Sequence, residues 1–279
     1  MRILILGGSG MLGHALLKTL LPRHDVRATL RSGLENYRQW PLFHAGNSFA
    51  GLDLRAAENL APVLRQFSPQ AVVNCAGLVK QRNASTDILE NLEINAVAPH
   101  RIARLCRDAG ARLIHVSTDC VFSGRRGMYA ERDLADAEDL YGRTKFLGEP
   151  EGPHCLTLRT SFVGRELSAK AGLLEWFLAQ GGPVKGYRRA IFSGLTTIEF
   201  ARVIERLLTD FPAARGLYHV AGERIDKCAL LHLFRAHFQL PTAIHGDDEV
   251  VVDRSLDSSR FRQEFGYRPP AWPAMVKEL

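Results

Sequence analysis

Arg2-Ile3-Leu4-Ile5-Leu6-Gly7-Gly8-Ser9-Gly10-Met11-Leu12-Gly13 is the stretch that decides the fold. The apolar run Arg2–Leu6 meets glycine after too few residues for a secretory signal, and it reads as a buried first strand. Residues 11–21 then follow a helical period that stops at Pro22. The glycines between satisfy two spacings at once, GxxGxxG through Gly7, Gly10 and Gly13, and GxGxxG through Gly8, Gly10 and Gly13. Glycine permits the sharp turn and lets the backbone come close to a pyrophosphate. The helix that follows offers the N–H groups of its first turn to the anion. A glycine pattern alone is common. Wedged between a strand and a helix, it predicts a dinucleotide site built by Gly7, Gly10, Met11, Leu12 and Gly13.

Outward from this stretch the chain alternates. Residues 26–30 read as a strand, 35–49 as a less regular stretch around a third strand, and 56–67 as a helix. Ala71–Asn74 is a buried strand, 89–109 a long helix ending at Gly110, 112–117 a strand, 140–149 a helix and 155–159 a strand. Strands alternating with helices imply an α/β fold, a Rossmann-type doubly wound parallel sheet covered on both faces. Past about Gly164 the rhythm loosens into helices at 173–179, 197–208, 227–238 and 256–265, with one short strand at 217–220. We therefore expect a dinucleotide-binding domain over residues 1–164 and a smaller substrate-binding lobe over 165–279.

Composition narrows the function classes. The chain has 279 residues, 46% of them hydrophobic, enough for a full core. No apolar run approaches the roughly 20 residues that span a bilayer, so a cytoplasmic protein with no membrane partner is expected. Five cysteines, Cys75, Cys106, Cys120, Cys155 and Cys228, show no CxxC pair and suggest neither a disulfide framework nor a metal site. The net charge of +6 comes without a basic run or basic–aromatic stripe, so nucleic acid is not an expected partner. A surplus of this size suits a pocket for phosphorylated small molecules.

The residues that carry chemistry fall where such a sheet exposes its strand ends. The second strand finishes Thr29-Leu30-Arg31-Ser32. NAD-selective folds place an acid there for the ribose 2′-hydroxyl, whereas Arg31 suits a 2′-phosphate and hence NADPH; Glu35, close by, keeps NADH open. Val73-Asn74-Cys75-Ala76-Gly77 ends a strand in small residues, and Ser117-Thr118-Asp119-Cys120-Val121-Phe122-Ser123-Gly124 ends the next with two hydroxyls. Tyr141 and Lys145 follow, four apart on one helix face. A phenol titrates at about 10 when free, and a neighbouring ammonium favours its charged form, so the pair is suited to proton transfer.

This set, in this order, resembles the extended short-chain dehydrogenase/reductase superfamily, and within it the dTDP-4-dehydrorhamnose reductase family. Further matching segments are Leu158-Arg159-Thr160-Ser161-Phe162, Gly216-Leu217-Tyr218-His219-Val220-Ala221-Gly222 and Ser255-Leu256-Asp257-Ser258-Ser259-Arg260. The resemblance implies an NAD(P)-dependent reductase of a nucleotide-linked 4-keto-6-deoxy sugar, of the kind used to build cell-surface polysaccharide. Tyr141 would protonate the keto oxygen, Lys145 would bind the nicotinamide ribose and lower the Tyr141 pKa, and Thr118 would hydrogen-bond the same oxygen. Asp119 would contact substrate, Asp53-Leu54 would flank adenine, and Cys75, Ala76 and Gly77 would line the cofactor. Asn95 matches a helix asparagine that the superfamily uses structurally. A homodimer is compatible with this family.

Three departures stand out. Cys120 replaces the glutamate of the related dehydratases, which disfavours water elimination. Phe162 stands where the reductases tend to have tryptophan, and would still stack on a sugar face. Leu78-Val79-Lys80-Gln81 replaces a frequent His-Thr, with Lys80 a candidate for a pyrophosphate or carboxylate. The run Lys185-Gly186-Tyr187-Arg188-Arg189 is a second candidate for the substrate diphosphate. Two rival readings are an epimerase with tightly held NAD and a non-catalytic nucleotide-binding regulatory subunit, a role in which the beta subunit of methionine adenosyltransferase resembles this same fold.

Overall fold

The computed structural model describes residues 1–78, 87–168 and 170–279; the Lys80 candidate lies outside them. Six strands, β1 (Arg2–Leu6), β2 (Asp25–Thr29), β3 (Ser48–Phe49), β4 (Ala71–Asn74), β5 (Arg112–Thr118) and β6 (Cys155–Thr160), join Gly216–His219 in one seven-stranded sheet. The order is β3-β2-β1-β4-β5-β6, then Gly216–His219. β1 runs parallel to β2 and to β4, with Ile3 opposite Val26 and Leu6 opposite Asn74, and β4 sets Asn74 opposite His115 on β5. The order therefore reverses between β1 and β4, the switch point where such sheets leave a crevice beyond their carboxyl ends. This is the doubly wound sheet that the alternation implied.

Two compact units interleave along the chain. The first comprises Met1–Ser117, Asp139–Leu158 and Ala201–Leu217; the second comprises Thr118–Glu138, Arg159–Phe200 and Tyr218–Leu279. The segments before and after residue 164 thus do not map one to one onto them. β5 itself carries the chain from the first unit into the second between Ser117 and Thr118.

In the first unit Ile3, Leu4, Ile5 and Leu6 are wholly buried, so β1 is covered on both faces. On one side Leu4, Leu6, Val72 and Leu113 join a core with Leu60, Leu64 and Phe67 of one helix and Ile102 and Cys106 of another. The helix Met11–Leu20 packs against β1 and β2 and buries Leu12, Leu16, Leu17 and Leu20. The stretch expected as one helix over 56–67 divides at Ala56, whose φ of −101° and ψ of 73° are not helical, into a 3-10 turn Leu54–Asn59 and the helix Leu60–Phe67. The long helix spans 88–108 but widens to a π-turn over Leu92–Val97. Pro99 explains the widening, since it has no N–H to return to the carbonyl of Asn95 four residues back.

The second unit is made of short pieces. Ala190–Phe192 lies between Ile225–Asp226, antiparallel to it, and Val252–Asp253, parallel to it. Val184–Tyr187 pairs in parallel with Ile244–Asp247, so the segment around Lys185 is a strand and not an open turn. Phe122 stacks on Tyr129 at 4.2 Å and packs with Val121, Ala221 and Leu256. The helix expected from 256 begins only at Ser259, because Leu256 forms a parallel bridge with Tyr129.

Gly148 caps the helix Leu140–Leu147, and a Cβ there would lie 1.8 Å from the Asn95 carbonyl oxygen. The obstacle is backbone and cannot rotate away. Gly148→Ala should therefore destabilise the protein by about 1–3 kcal/mol or more, the range of core overpacking, measured by urea unfolding; an unchanged midpoint would show that the two helices separate easily.

Candidate functional site

The glycine loop closes on itself and on the end of β4. Gly7 has a φ of +80°, in the left-handed region that favours glycine. A Cβ on Gly13 would lie 2.1 Å from the Gly7 carbonyl oxygen, and one on Gly7 would lie 3.0 Å from the Cα of Ala76. The loop is pinned from the Gly8 N–H to the Thr29 carbonyl at 2.9 Å and from the Gly10 N–H to the Gly7 carbonyl at 3.0 Å. The helix Met11–Leu20 begins at Gly10 with no side-chain cap and no acid in its first turn. Its first amides, those of Met11, Leu12 and Gly13, are thus chemically suited to an anion, and the absence of side-chain bulk on the loop fits a pyrophosphate.

At the end of β2, Leu52 donates to the Leu30 carbonyl at 3.0 Å and Gly51 to that of Ser32 at 3.1 Å, which draws the following loop alongside. Arg31 is exposed there. Asp53 accepts from the Arg55 Nε and from the Arg55 backbone N–H, both at 2.9 Å. The Arg55 hydrogen bond, with a smaller contribution from the Arg31 charge, holds the Asp53 carboxyl below its usual pKa. Leu54 packs its half-buried side chain on the core. The structure therefore brings Arg31 and Asp53 into one charged patch, with Asp53 already engaged by an arginine not singled out by its sequence.

The crevice side of β4 is held by a chain of hydrogen bonds. The Ala76 N–H donates to Asn74 Oδ1 at 3.1 Å, so the Asn74 amide must turn its Nδ2 toward His115 Nδ1, 3.1 Å away. His115 Nδ1 is then an acceptor and the proton sits on Nε2, which finds no hydrogen-bond partner among the described residues. Burial, with the Lys145 charge beside it, holds the His115 pKa well below the usual 6.5, so the ring is neutral. Two residues further on, Asn95 clamps the Leu78 backbone, accepting its N–H at 2.9 Å and donating to its carbonyl at 3.3 Å. His115 carried no sequence signal of its own; only the Asn74–His115 register reveals it.

Tyr141 and Lys145 ride on the helix Leu140–Leu147, whose start is capped by Asp139 accepting from the Gly142 N–H at 2.8 Å. Tyr141 is half-buried and Lys145 buried. Lys145 Nζ donates to the Val116 carbonyl at 2.9 Å, near the carboxyl end of β5. Burial pulls its pKa from 10.5 down to about 8, against the opposing charge of Glu149. Glu149 in turn accepts from Ser117 Oγ at 2.6 Å. A Cβ on Gly77 would come within 3.9 Å of the same ammonium. Gly7, Gly13, Ala76, Gly77 and Lys145 are thus assembled within the first unit. Glu149 was missed, since it lies past the Gly148 cap and only the fold brings it to Ser117.

Thr118, Asp119, Cys120 and Phe162 belong to the second unit. Thr118 Oγ1 accepts from the Cys120 N–H at 3.1 Å and donates to Asp119 Oδ1 at 3.2 Å. Asp119 is buried, which raises its carboxyl pKa, while Arg254 and Lys227 draw it back. Phe162 is half-buried and stacks on Phe200 at 6.1 Å. Of the diphosphate candidates, Lys185 pairs with Asp247 at 2.7 Å and Glu249 at 3.2 Å and Arg188 pairs with Asp248, while Arg189 is exposed. Among the described residues no group of three or more His, Cys, Asp or Glu could hold a metal, and no helix is long and apolar enough to cross a membrane.

The RmlD substrate binding domain family matches the chain over residues 1–279. The dTDP-4-dehydrorhamnose reductase of Aggregatibacter actinomycetemcomitans is 23% identical over 305 residues, covering 100% of this chain and 98% of that protein. Methionine adenosyltransferase 2 subunit beta of Xenopus tropicalis is 30% identical over 261 residues, covering 87% and 73%. The crystal structure of dTDP-4-dehydrorhamnose reductase from Bacillus anthracis in complex with NADP matches with a TM-score of 0.81 at 18% identity, covering 99% of this chain and 97% of that one.

Two measurements probe this geometry. Between about pH 8 and 10.5 the folded protein binds fewer protons at Lys145 than the unfolded chain does, so this group's contribution to stability rises with pH across that window. Wild type should gain stability relative to Lys145→Met between about pH 7.5 and pH 10 in paired urea titrations; a constant difference would contradict the buried ammonium. Nitrogen-15 spectra of the histidines should show His115 as the neutral Nε2–H tautomer near pH 7, and Asn74→Ala should perturb that signal. A protonated ring would break the Asn74 relay.

Proposed function

This chain belongs to the RmlD substrate binding domain family, and we propose that it is a reductase of a nucleotide-linked keto sugar that takes hydride from NADPH. The finer reading is a dTDP-linked 4-keto-6-deoxy sugar, supported by the name of the full-length Aggregatibacter relative. Its product would be a deoxy-sugar donor for polysaccharide assembly. The observation that carries the proposal is the buried Lys145 ammonium at the carboxyl end of β5, one helical turn from Tyr141 and in the same unit as the glycine loop.

Gly7, Gly10 and Gly13, with the first amides of Met11–Leu20, would hold the dinucleotide phosphates. Arg31 would meet a 2′-phosphate; the NADP bound in the Bacillus anthracis structure agrees with that choice, and NADH remains compatible with it. When bound, the nicotinamide supplies the hydride to the keto carbon. Tyr141 delivers the proton to the carbonyl oxygen. Lys145 stabilises the phenolate that remains and fixes the ribose. Thr118, by giving up its bond to Asp119, would have a hydroxyl free to donate to a substrate carbonyl. Leu78, Cys75, Ala76 and Gly77 shape the crevice wall, with Asn95 holding the Leu78 backbone in place.

A second reading, a nucleotide-binding regulatory subunit, is favoured by the Xenopus relative. Turnover separates the two. Tyr141→Phe should lower kcat by about 10²- to 10⁴-fold, the contribution of a positioned general acid, while leaving NADPH affinity near wild type. Wild-type turnover in that variant would remove the proposed acid. Wild-type protein that binds NADPH and reduces no keto sugar in a panel would favour the regulatory reading.

A further inference from the structure

The second unit sets two half-buried cations, Lys227 and Arg254, near a single carboxylate, Asp119. Lys185, Arg188 and Arg224, on or beside the short strands, each have an acid partner, Asp247, Asp248 and Asp253 respectively. All three are exposed. Lys227 and Arg254 are less exposed, yet neither makes an ion pair among the described residues. Two half-buried cations facing one carboxylate leave an unfavourable surplus of positive charge, and the imbalance is removed if an anion arrives from outside.

Both cations are placed by the same three-stranded sheet. Lys227 directly follows Ile225–Asp226 and Arg254 directly follows Val252–Asp253, the strands on either side of Ala190–Phe192. The Arg254 N–H continues the ladder to the Ile191 carbonyl at 3.0 Å. Lys227 Nζ sits 4.2 Å from the centre of the Phe192 ring. The sheet is tied to the turn that Thr118 begins: Asp253 N–H donates to the Gly124 carbonyl at 2.7 Å, and Arg254 Nε to the Phe122 carbonyl at 2.9 Å. Against these two cations stands one carboxylate, Asp119, which is bound to the Thr118 hydroxyl. Their charges are felt at Asp119, whose pKa both of them lower.

We propose that Lys227 and Arg254 form an oxyanion site in the substrate-binding unit, beside the Thr118-Asp119 turn, that receives an anionic group of the substrate. The inference rests on the reading of Thr118 as the hydroxyl that meets the substrate carbonyl. It reassigns the role expected for Lys185 and Arg188, whose charges are spent on Asp247 and Asp248. Two sources supply such an oxyanion: the diphosphate of the nucleotide sugar, or a carboxylate on the sugar ring.

The test measures dissociation constants by calorimetry on NADP-saturated protein, for wild type, Lys227→Met and Lys227→Arg. The probes are dTDP, UDP-glucose, UDP-glucuronate and inorganic pyrophosphate. Thermal melts of the three proteins verify folding, and Lys227→Arg, which keeps the charge, should restore most of any affinity lost. We expect Lys227→Met to weaken at least one anion by about tenfold, equivalent to roughly 1.4 kcal/mol. Weakening of dTDP and pyrophosphate identifies the diphosphate as the source. Weakening of UDP-glucuronate with UDP-glucose unchanged identifies a sugar carboxylate. Affinities unchanged for every probe overturn the oxyanion site. If no nucleotide binds wild type but pyrophosphate binds in a Lys227-dependent way, the site stands and the nucleotide-sugar reading falls.

Discussion

A backbone-on-backbone contact without room for a Cβ organises the first unit. Gly13 lies against the Gly7 carbonyl, and Gly7 lies against Ala76. These approaches bring the ends of β1 and β4 and the start of the first helix to one point, at the place where the strand order reverses. Everything else in the crevice is arranged around it. Asn74 fixes Ala76, His115 fixes Asn74, and Asn95 holds Leu78 just beyond. The same Asn95 residue offers its carbonyl to the close approach of Gly148, so the helix that bears Tyr141 and Lys145 is docked through the backbone of the residue that shapes the crevice wall. Pro99 contributes from a distance, by denying Asn95 its ordinary helical donor.

Lys145 shows why such tight packing matters for chemistry. A buried ammonium is costly, and here it costs enough to bring the pKa down to about 8. It is retained by the Val116 carbonyl and by the opposing charge of Glu149. A positive charge held where little water can screen it acts on its surroundings more strongly than one at the surface. Placing it on a carbonyl of β5 also orients it without consuming its charge, which an ion pair would have done.

Much of this was legible in the chain, and the limits have physical causes. β1 and β4 were readable to the residue because both are continuous apolar runs ended by small residues. The long helix was readable in extent, but its π-turn was not, although Pro99, which accounts for it, stands in the sequence. The short strands Val184–Tyr187, Ala190–Phe192, Ile244–Asp247 and Val252–Asp253 were invisible, since two to four residues establish no period. The pairing of Lys185 and Arg188 with acids some sixty positions later follows from those strands and was hidden with them. The same holds for the Leu256 bridge, which turned an expected helix start into extended chain. Motif spacing located Gly7, Gly13, Tyr141 and Lys145; partners contributed by distant segments, such as His115 for Asn74 and Arg254 for the Asp119 turn, could come only from the fold.

The turn beginning at Thr118 also bears on which reaction the site can run. Eliminating water from a sugar requires one group to take a proton from carbon and another to protonate the departing hydroxyl. Position 119 offers a buried carboxyl whose pKa is raised, and its proton-accepting capacity is partly used by Thr118. Position 120 offers a thiol that burial and the Asp119 charge push up to about 12, so near neutral pH it is neither charged nor a useful base. The acid–base pair is therefore incomplete on this turn. What it does supply is a hydroxyl held in place by the Cys120 N–H and able to donate to an oxygen. The turn thus lacks the second acid–base group that dehydration needs and keeps a hydrogen-bond donor.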